Sequence, residues 1–373
     1  AAYSLRSLTG GDPLAVRVRR QGTGEEDFTV SQINSGALVD YVNTNGVFAN
    51  TGYESFSNAS TSGFTASNTG STGFAVSDLP DGTSGTAISV SFDISITNGS
   101  PSISLRTALN GGSSASNSVN YTSSGSKTAT LTATGSYVGI GFTEGDAPSN
   151  FTVSNFKILG KGFVSIWYDQ SGNSNNATQT DTDKQPEIVS SGSLIVDSAG
   201  LPEIDFDGSD DCLTSSSYSR SGEDLPLTMI SVFDQDVAGV DYIVALNKTD
   251  NNAFDRILLR TDVFEYGRRA TDNINKAASG SDPDVNTKYV FTAINAGTTS
   301  SGFVNGSSIF SGVNTNVNTQ ALDQIDIGAN NGDSQSGSNP FDGKIQEIII
   351  YETDQSSNRT DLETNIMNHY SIS

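Results

Sequence analysis

The sequence predicts an all-β protein built from antiparallel sandwiches, with one short helix near its C-terminal end. Three observations carry this. Ile88, Val90, Phe92, Ile94 and Ile96 take every second position between Ser, Asp and Thr, the period-2 pattern of a strand with one buried face. Hydrophobic residues make up 34% of the 373, while Gly, Ser, Thr and Asn are abundant, which suits many short strands joined by turns. Leu362, Ile366 and Tyr370 stand four residues apart, one apolar stripe of a packed helix over roughly 357–370.

Taken in order, residues 1–30 contain two strands. The second sets Leu14, Val16 and Val18 against Arg17 and Arg19, one face dry and one wet. Gln21 to Asp27 reads as a polar turn, and Ser31 to Val42 has a helical rhythm through Ile33, Ala37, Leu38 and Val42. From 46 to 160 the chain turns rich in Ser, Thr, Gly and Asn and nearly loses Lys and Arg. Alternation there recurs at Ile103 and Leu105, at Ala129, Leu131 and Ala133, at Val138, Ile140 and Phe142, at Phe151 and Val153, and at Phe156 and Ile158. This is the pattern of an antiparallel sandwich.

The aromatic run Phe163 to Tyr168 then opens a strand that ends in the turn DQSGNSNN. Further strands are expected near 187–189, 194–196, 202–206, 228–233, 242–246, 256–260, 263–267, 288–294, 301–305, 325–328 and 343–351. Asn305-Gly306 marks a hairpin turn. Ile345 to Tyr351 is nearly continuously apolar, as a strand buried on both faces requires.

The net charge of −23 opposes nonspecific binding to nucleic acid, whose phosphates need Lys and Arg, and opposes docking on anionic membranes. No apolar run is long enough to span a bilayer, and no signal peptide is visible. The single cysteine, Cys212, excludes an intrachain disulfide framework, and the single histidine, His369, argues against a Ser-His-Asp triad or a multi-histidine metal site.

The segment FVSIWYDQSGNSNNATQ resembles part of the arabinofuranosidase B-like catalytic domain and of related concanavalin A-like (laminin G-like) domains of phage tail and bacterial surface proteins. AYSLRSLTGGDPLAVRVRR, EIDFDGSDDCL, IDIGAN, FDGKIQEIIIY and the helix ending at His369-Tyr370 resemble the same family in the same order. The resemblance implies a concanavalin A-like two-sheet sandwich. Its members pass from the AVRVRR strand almost directly to WYDQSGN, so residues 46–160 read as an insertion into a discontinuous outer domain of 1–45 and 161–373. NTGYESF, SVSFDISITNGSPSISL and FTVSNFKIL give the insertion a similarity to jelly-roll carbohydrate-binding modules.

The resemblance also implies a chemistry to look for. The family is a retaining glycosidase, which needs two carboxyl groups about 5 Å apart. Its nucleophile region corresponds to IVALNKTDNN, which has no Glu and no Cys pair, and its acid/base loop to GANNGDSQSG, where Asp333 is a loose counterpart. Glu265 or Asp342 would have to supply the second carboxylate. Asp205, Asp207, Asp210 and Asp211 form a dense acidic group, read first as turn residues capping backbone amides, with oxygen ligation of Ca²⁺ the alternative; no cofactor other than Ca²⁺ comes into question. Trp167 and Tyr168 are either core or a sugar platform, and Asp169 closes its own turn. Arg256, Arg260, Arg268 and Arg269 with Tyr266 form a basic and aromatic cluster suited to acidic sugars or a subunit contact, or else a paired strand face. In the insertion Tyr53, Phe56, Phe64, Phe74, Tyr121 and Tyr137 are stacking candidates, or core.

These features favour a non-catalytic carbohydrate-binding, adhesive module of a phage virion appendage or a bacterial surface. Its expected partners are cell-surface glycans and neighbouring virion or surface-protein subunits, including copies of itself. A glycoside hydrolase and a purely structural virion component are the alternatives.

Overall fold

The computed structural model describes residues 1–373 except 23, 47–48, 51–55, 61–62, 68–72, 79–84, 86, 109–116, 136, 144–148, 221–225, 250–255, 271–272, 280, 316–320 and 331–338. The protein is nearly all β, its large antiparallel sheets forming a sandwich or barrel, with a short C-terminal helix Arg359–Tyr370.

Outside 44–160 the described strands form one hydrogen-bonded system that closes on itself. Its central strand, Asp342–Tyr351, pairs with Leu227–Gln235 on one side, and with Ala2–Ser4 and Ile204–Asp207 on the other. That strand is buried on both faces, as its apolar run requires. Ile345, Ile348 and Ile350 enter the main core with Trp167, Phe206, Phe233 and Phe291. Ile349 faces the opposite way, joining Ile230, Val232 and Val290 beneath Ile366 and Tyr370 of the helix. Each face thus removes apolar surface from water, at roughly 25 cal/mol per Å².

Beside that apolar patch the strands carry a row of charges. Lys288, Asp234, Lys344, Asp205 and Glu187 are successive cross-strand partners over five strands. The first four alternate in sign, and opposite charges placed directly across a sheet stabilise the pairing, whereas Glu187 against Asp205 is a like-charge pair that opposes it. Lys288 also pairs with Asp197 and with Glu203 at 3.2 Å, and Lys344 with Asp236.

The segment 46–160 has its own sheets and its own core. Among the described residues it forms a five-stranded sheet and a six-stranded sheet around Phe64, Phe92, Phe151, Phe156 and Ile140. The short strand Thr44–Asn45 belongs to the six-stranded sheet through Ile158 and Lys157. Phe151 and Val153 are buried, yet so are Phe156 and Ile158, which lie at the opposite parity. A β-bulge between Ser154 and Lys157, with Asn155 at φ 54°, resets the alternation.

Several elements depart from the expectations. Gln21 to Asp27 is not all turn: Glu25–Thr29 is a strand whose acids face the arginines of Leu14–Arg20, with Arg17 Nε 2.6 Å and Nη2 2.9 Å from the Asp27 carboxylate. The rhythm of 31–42 resolves into two short helices, Val30–Asn34 and Ala37–Val42, separated at Gly36, whose φ of 87° an L side chain would disfavour. The strand expected at 263–267 starts at Glu265, after a 3₁₀ turn that drives Phe264 against Phe233, Tyr289 and Phe291. The Asn305-Gly306 hairpin forms as expected, both residues at positive φ, between strands Thr299–Val304 and Ser307–Asn314.

Candidate functional site

The DQSGNSNN turn is built around Asp169. Its carboxylate accepts hydrogen bonds from the Ser171 amide (2.9 Å), the Ser171 hydroxyl (2.9 Å), the Asn175 amide (3.0 Å) and the Ala2 amide (2.8 Å). Burial pushes this carboxyl up, but those hydrogen bonds outweigh it and hold the group below the ordinary carboxylate range. Gly172 and Ser174 take positive φ, which lets the chain reverse in so few residues. Gln170 next door is buried and fully engaged: its Nε2 donates to Ser4 O and Arg6 O, and its Oε1 accepts from the Leu8 amide. The turn is thereby bonded to the N-terminal segment.

A cleft of about 750 Å³ opens over this turn, within the usual range for ligand sites. Its polar lining includes Ser171, Asn173 and Asn175 of the turn, Ser217 and Ser219 opposite, and Asn365 of the helix. Leu8, Tyr351, Leu362 and Ile366 form an apolar wall. Two charged side chains line it, Arg6 and Glu352. Arg6 donates from Nε (2.7 Å) and Nη2 (2.9 Å) to the buried Glu347 carboxylate and from Nη1 to Asn365 Oδ1 (2.9 Å). Glu352 is exposed at the end of the central strand. Tyr218, 3% exposed, also lines the cleft, with its hydroxyl beside Glu352 and Arg220. Burial first, then the charge of Glu352, holds this phenol above its ordinary range.

The structure places the residues expected from the sequence as follows. Trp167 is fully buried against Tyr3, ring centroids 5.8 Å apart, so it forms the floor beneath the turn and cannot stack on a sugar. Tyr168 points away from the cleft and donates to Asp27 at 2.6 Å. Tyr266 is fully buried in the main core, and Arg268 is buried with Nη1 donating to Gly297 O. Neither can present itself to a ligand at the surface. Arg260 pairs with Glu265 at 2.6 Å and lies over the Tyr242 ring; Lys276 meets the same carboxylate at 2.9 Å. Glu265 is thus a buried ion-pair centre. Tyr121 is half-buried, edge-on to Phe92, with Lys127 Nζ 5.8 Å from its centroid. Asp342 opposes Asp207 across two strands. Asp333, Tyr53 and the side chain of Arg256 lie outside the described residues, as do the side chains of Arg269, Phe56, Phe74 and Tyr137.

The acidic group divides. Carboxylate oxygens of Asp207, Asp210 and Asp211 lie within 4.8 Å of one another, while Asp205 belongs to the charge row, 3.7 Å from Lys344. Asp207 caps the Ser209 amide (2.9 Å) and Asp211 the Asp207 amide (3.0 Å), the work of turn residues. Burial and then Asp207 push Asp211 up to about 7.

Two features escaped the sequence reading. The cleft draws its lining from five separated stretches. The other is Asp326, fully buried, whose carboxylate accepts from Thr214 Oγ1 (2.8 Å), Gln324 Nε2 (2.7 Å) and Asn247 Nδ2 (2.6 Å). The strand register Thr214↔Asp326 brings this cluster together, and no local motif announces it.

No protein-family model and no curated protein matches the chain. Among solved structures it is similar to the Ruminococcus gnavus IT-sialidase CBM40 bound to α2,3-sialyllactose, at 12% identity and TM-score 0.30, over 39% of this chain and 96% of that one. It is also similar to the same module bound to α2,6-sialyllactose, at 13% identity and TM-score 0.31, over 40% of this chain and 100% of that one. Trypanosoma rangeli sialidase in complex with sialic acid matches at 14% identity and TM-score 0.36, over 54% of this chain and 31% of that one. The chain therefore spans less than a third of that sialidase. Likenesses of this degree bear on neither site nor activity.

Proposed function

We propose that the chain is a non-catalytic carbohydrate-binding module whose ligand lies in the cleft over the Asp169 turn. The observation that carries this is the lining: amides and hydroxyls on a preformed turn facing an apolar wall, in a space of about 750 Å³. Asn and Ser side chains offer both donors and acceptors, as a ring of sugar hydroxyls requires. The apolar wall receives the C–H faces of the ring. A two-carboxylate hydrolysis needs a second acid, and Glu352 is the one carboxylate among the described lining residues.

The proposal extends to organisation and setting. Residues 1–45 and 161–373 form a discontinuous concanavalin A-like outer domain, with 46–160 an inserted jelly-roll module. The whole serves as an adhesive appendage of a phage virion or bacterial surface, a setting supported by the ordered resemblance of AYSLR…RVRR, WYDQSGN and the closing strands.

The test is titration calorimetry of the full chain against a panel of neutral, acidic and amine-bearing oligosaccharides, with each mixture analysed for released sugar. Binding without release, weakened about tenfold or more by Asn175→Ala, is the expected result. Released sugar overturns the non-catalytic reading, and binding indifferent to Asn175→Ala overturns the location.

A further inference from the structure

We propose that the cleft selects amine-bearing sugars, with the Glu352 carboxylate receiving the ammonium group, and excludes acidic sugars. This rests on the reading of the cleft as a sugar site.

The argument is one of uncommitted groups. A sugar carboxylate is recognised by a fork of charge-assisted donors. The one cationic side chain in the lining, Arg6, already spends its fork on Glu347 and another donor on Asn365. Glu352 is the reverse case. It is exposed, and no described residue forms an ion pair with it. The Ala1 amino group also lines the cleft and feels this charge, but it is buried, donates to Ile350 O at 3.1 Å and is held by burial below its ordinary range, so it counters Glu352 less than a free ammonium would.

An ammonium group carries three donors and no acceptor, so it needs a site made of acceptors. Glu352 supplies a charged one. The Asn175 side-chain carbonyl supplies another, since Asn175 lines the cleft while its backbone is tied to Asp169 and Tyr3. The Tyr218 hydroxyl lies near enough to Glu352 to feel its charge. Arg220 also acts on Tyr218 but does not line the cleft. Tyr218 and Tyr351 add aromatic surface, which attracts a cation. Asp169 lies beneath the turn and adds to the negative potential.

The net charge of −23 will gather any polycation loosely, so the test must turn on single residues. The full chain is titrated at about 0.15 M ionic strength, where long-range attraction is screened. Three probes are used: a β-1,4-linked glucosamine tetramer, its fully N-acetylated counterpart, and a uronic acid tetramer. The expected result is that the amine form binds about tenfold or more tighter than the N-acetylated form, and that the uronic form does not bind. Glu352→Gln, a substitution at an exposed position, should erase that preference, and Tyr218→Phe should reduce it. Equal binding of the amine and N-acetylated forms, or an amine preference unchanged in Glu352→Gln, overturns the inference while leaving the cleft as a sugar site. Binding indifferent to Asn175→Ala overturns both, and no binding of any of the three probes overturns the inference while the wider panel still tests the cleft.

Discussion

Asp169 concentrates four hydrogen bonds on one carboxylate and joins the N-terminal strand to the turn that floors the cleft. Its ionised form is the one the fold needs. Because its folded pKa lies below the unfolded value of about 3.9, its contribution is fully present above that value and is lost as pH falls through the folded one. Asp169→Asn should therefore cost about 1.5–3 kcal/mol at neutral pH, the usual worth of hydrogen bonds to a charged group. The gap to wild type should close below about pH 4, as followed by denaturant melts across pH. Asp241 has the opposite sign. Burial, and then Asp342, push it up to about 6, so its charge opposes folding above that pH and the penalty fades as pH falls toward the unfolded value. Asp241→Asn should raise the melting temperature at pH 8 and leave it unchanged at pH 3, and a constant shift at both would refute the assignment.

At the level of elements, the fold is tied together where the N-terminal strand, the central strand and the last helix meet. Glu347 is fully buried and receives Arg6, the Ser4 hydroxyl at 2.8 Å and the Tyr370 hydroxyl at 3.1 Å. Removing one partner of such a network strands the others. Glu347→Ala should cost about 3–5 kcal/mol and loosen the helix, seen as faster amide exchange across 359–370. Paired replacement of Glu347 and Arg6 by apolar residues should recover part of that loss. Local patterns announced these elements but not their joining. The alternation at Ile88 to Ile96 and the apolar run of Ile345 to Ile350 were visible because side-chain period depends on near neighbours alone. The strand Glu25–Thr29 was not, because it is held by its ladder to Leu14–Arg20 and by the Arg17–Asp27 pair rather than by its own composition.

For the whole molecule, the separation of the two cores has a consequence. The segment 46–160 packs around Phe92 and Phe156, and the remainder around Trp167 and Phe233. Where the two segments adjoin, Asn43 clamps the ends: its Oδ1 accepts from the Gly160 amide at 3.1 Å and its Nδ2 donates to Gly192 O at 3.0 Å. A surface loop with neighbouring ends tolerates insertion and its reversal. A chain with 46–160 replaced by a short Gly-Ser linker should keep one cooperative calorimetric transition and its glycan binding. Loss of that transition would show the two cores to be interdependent.

By itself the sequence determined the all-β class, the position of the terminal helix, the change of character at 46–160 and the importance of the DQSGNSNN turn. Each is written in local periodicity, composition or turn chemistry, and these survive without knowledge of distant neighbours. Only the tertiary structure decided which side chains face a ligand. Trp167, Tyr168 and Asp169 drew attention, yet Trp167 is floor, Tyr168 turns to Asp27 and Asp169 is a brace. The groups that line the cleft, among them Asn175, Tyr218 and Glu352, are ordinary residues far apart in the chain. Register and packing bring them together, and a single chain carries no local signal of a juxtaposition that long-range pairing creates.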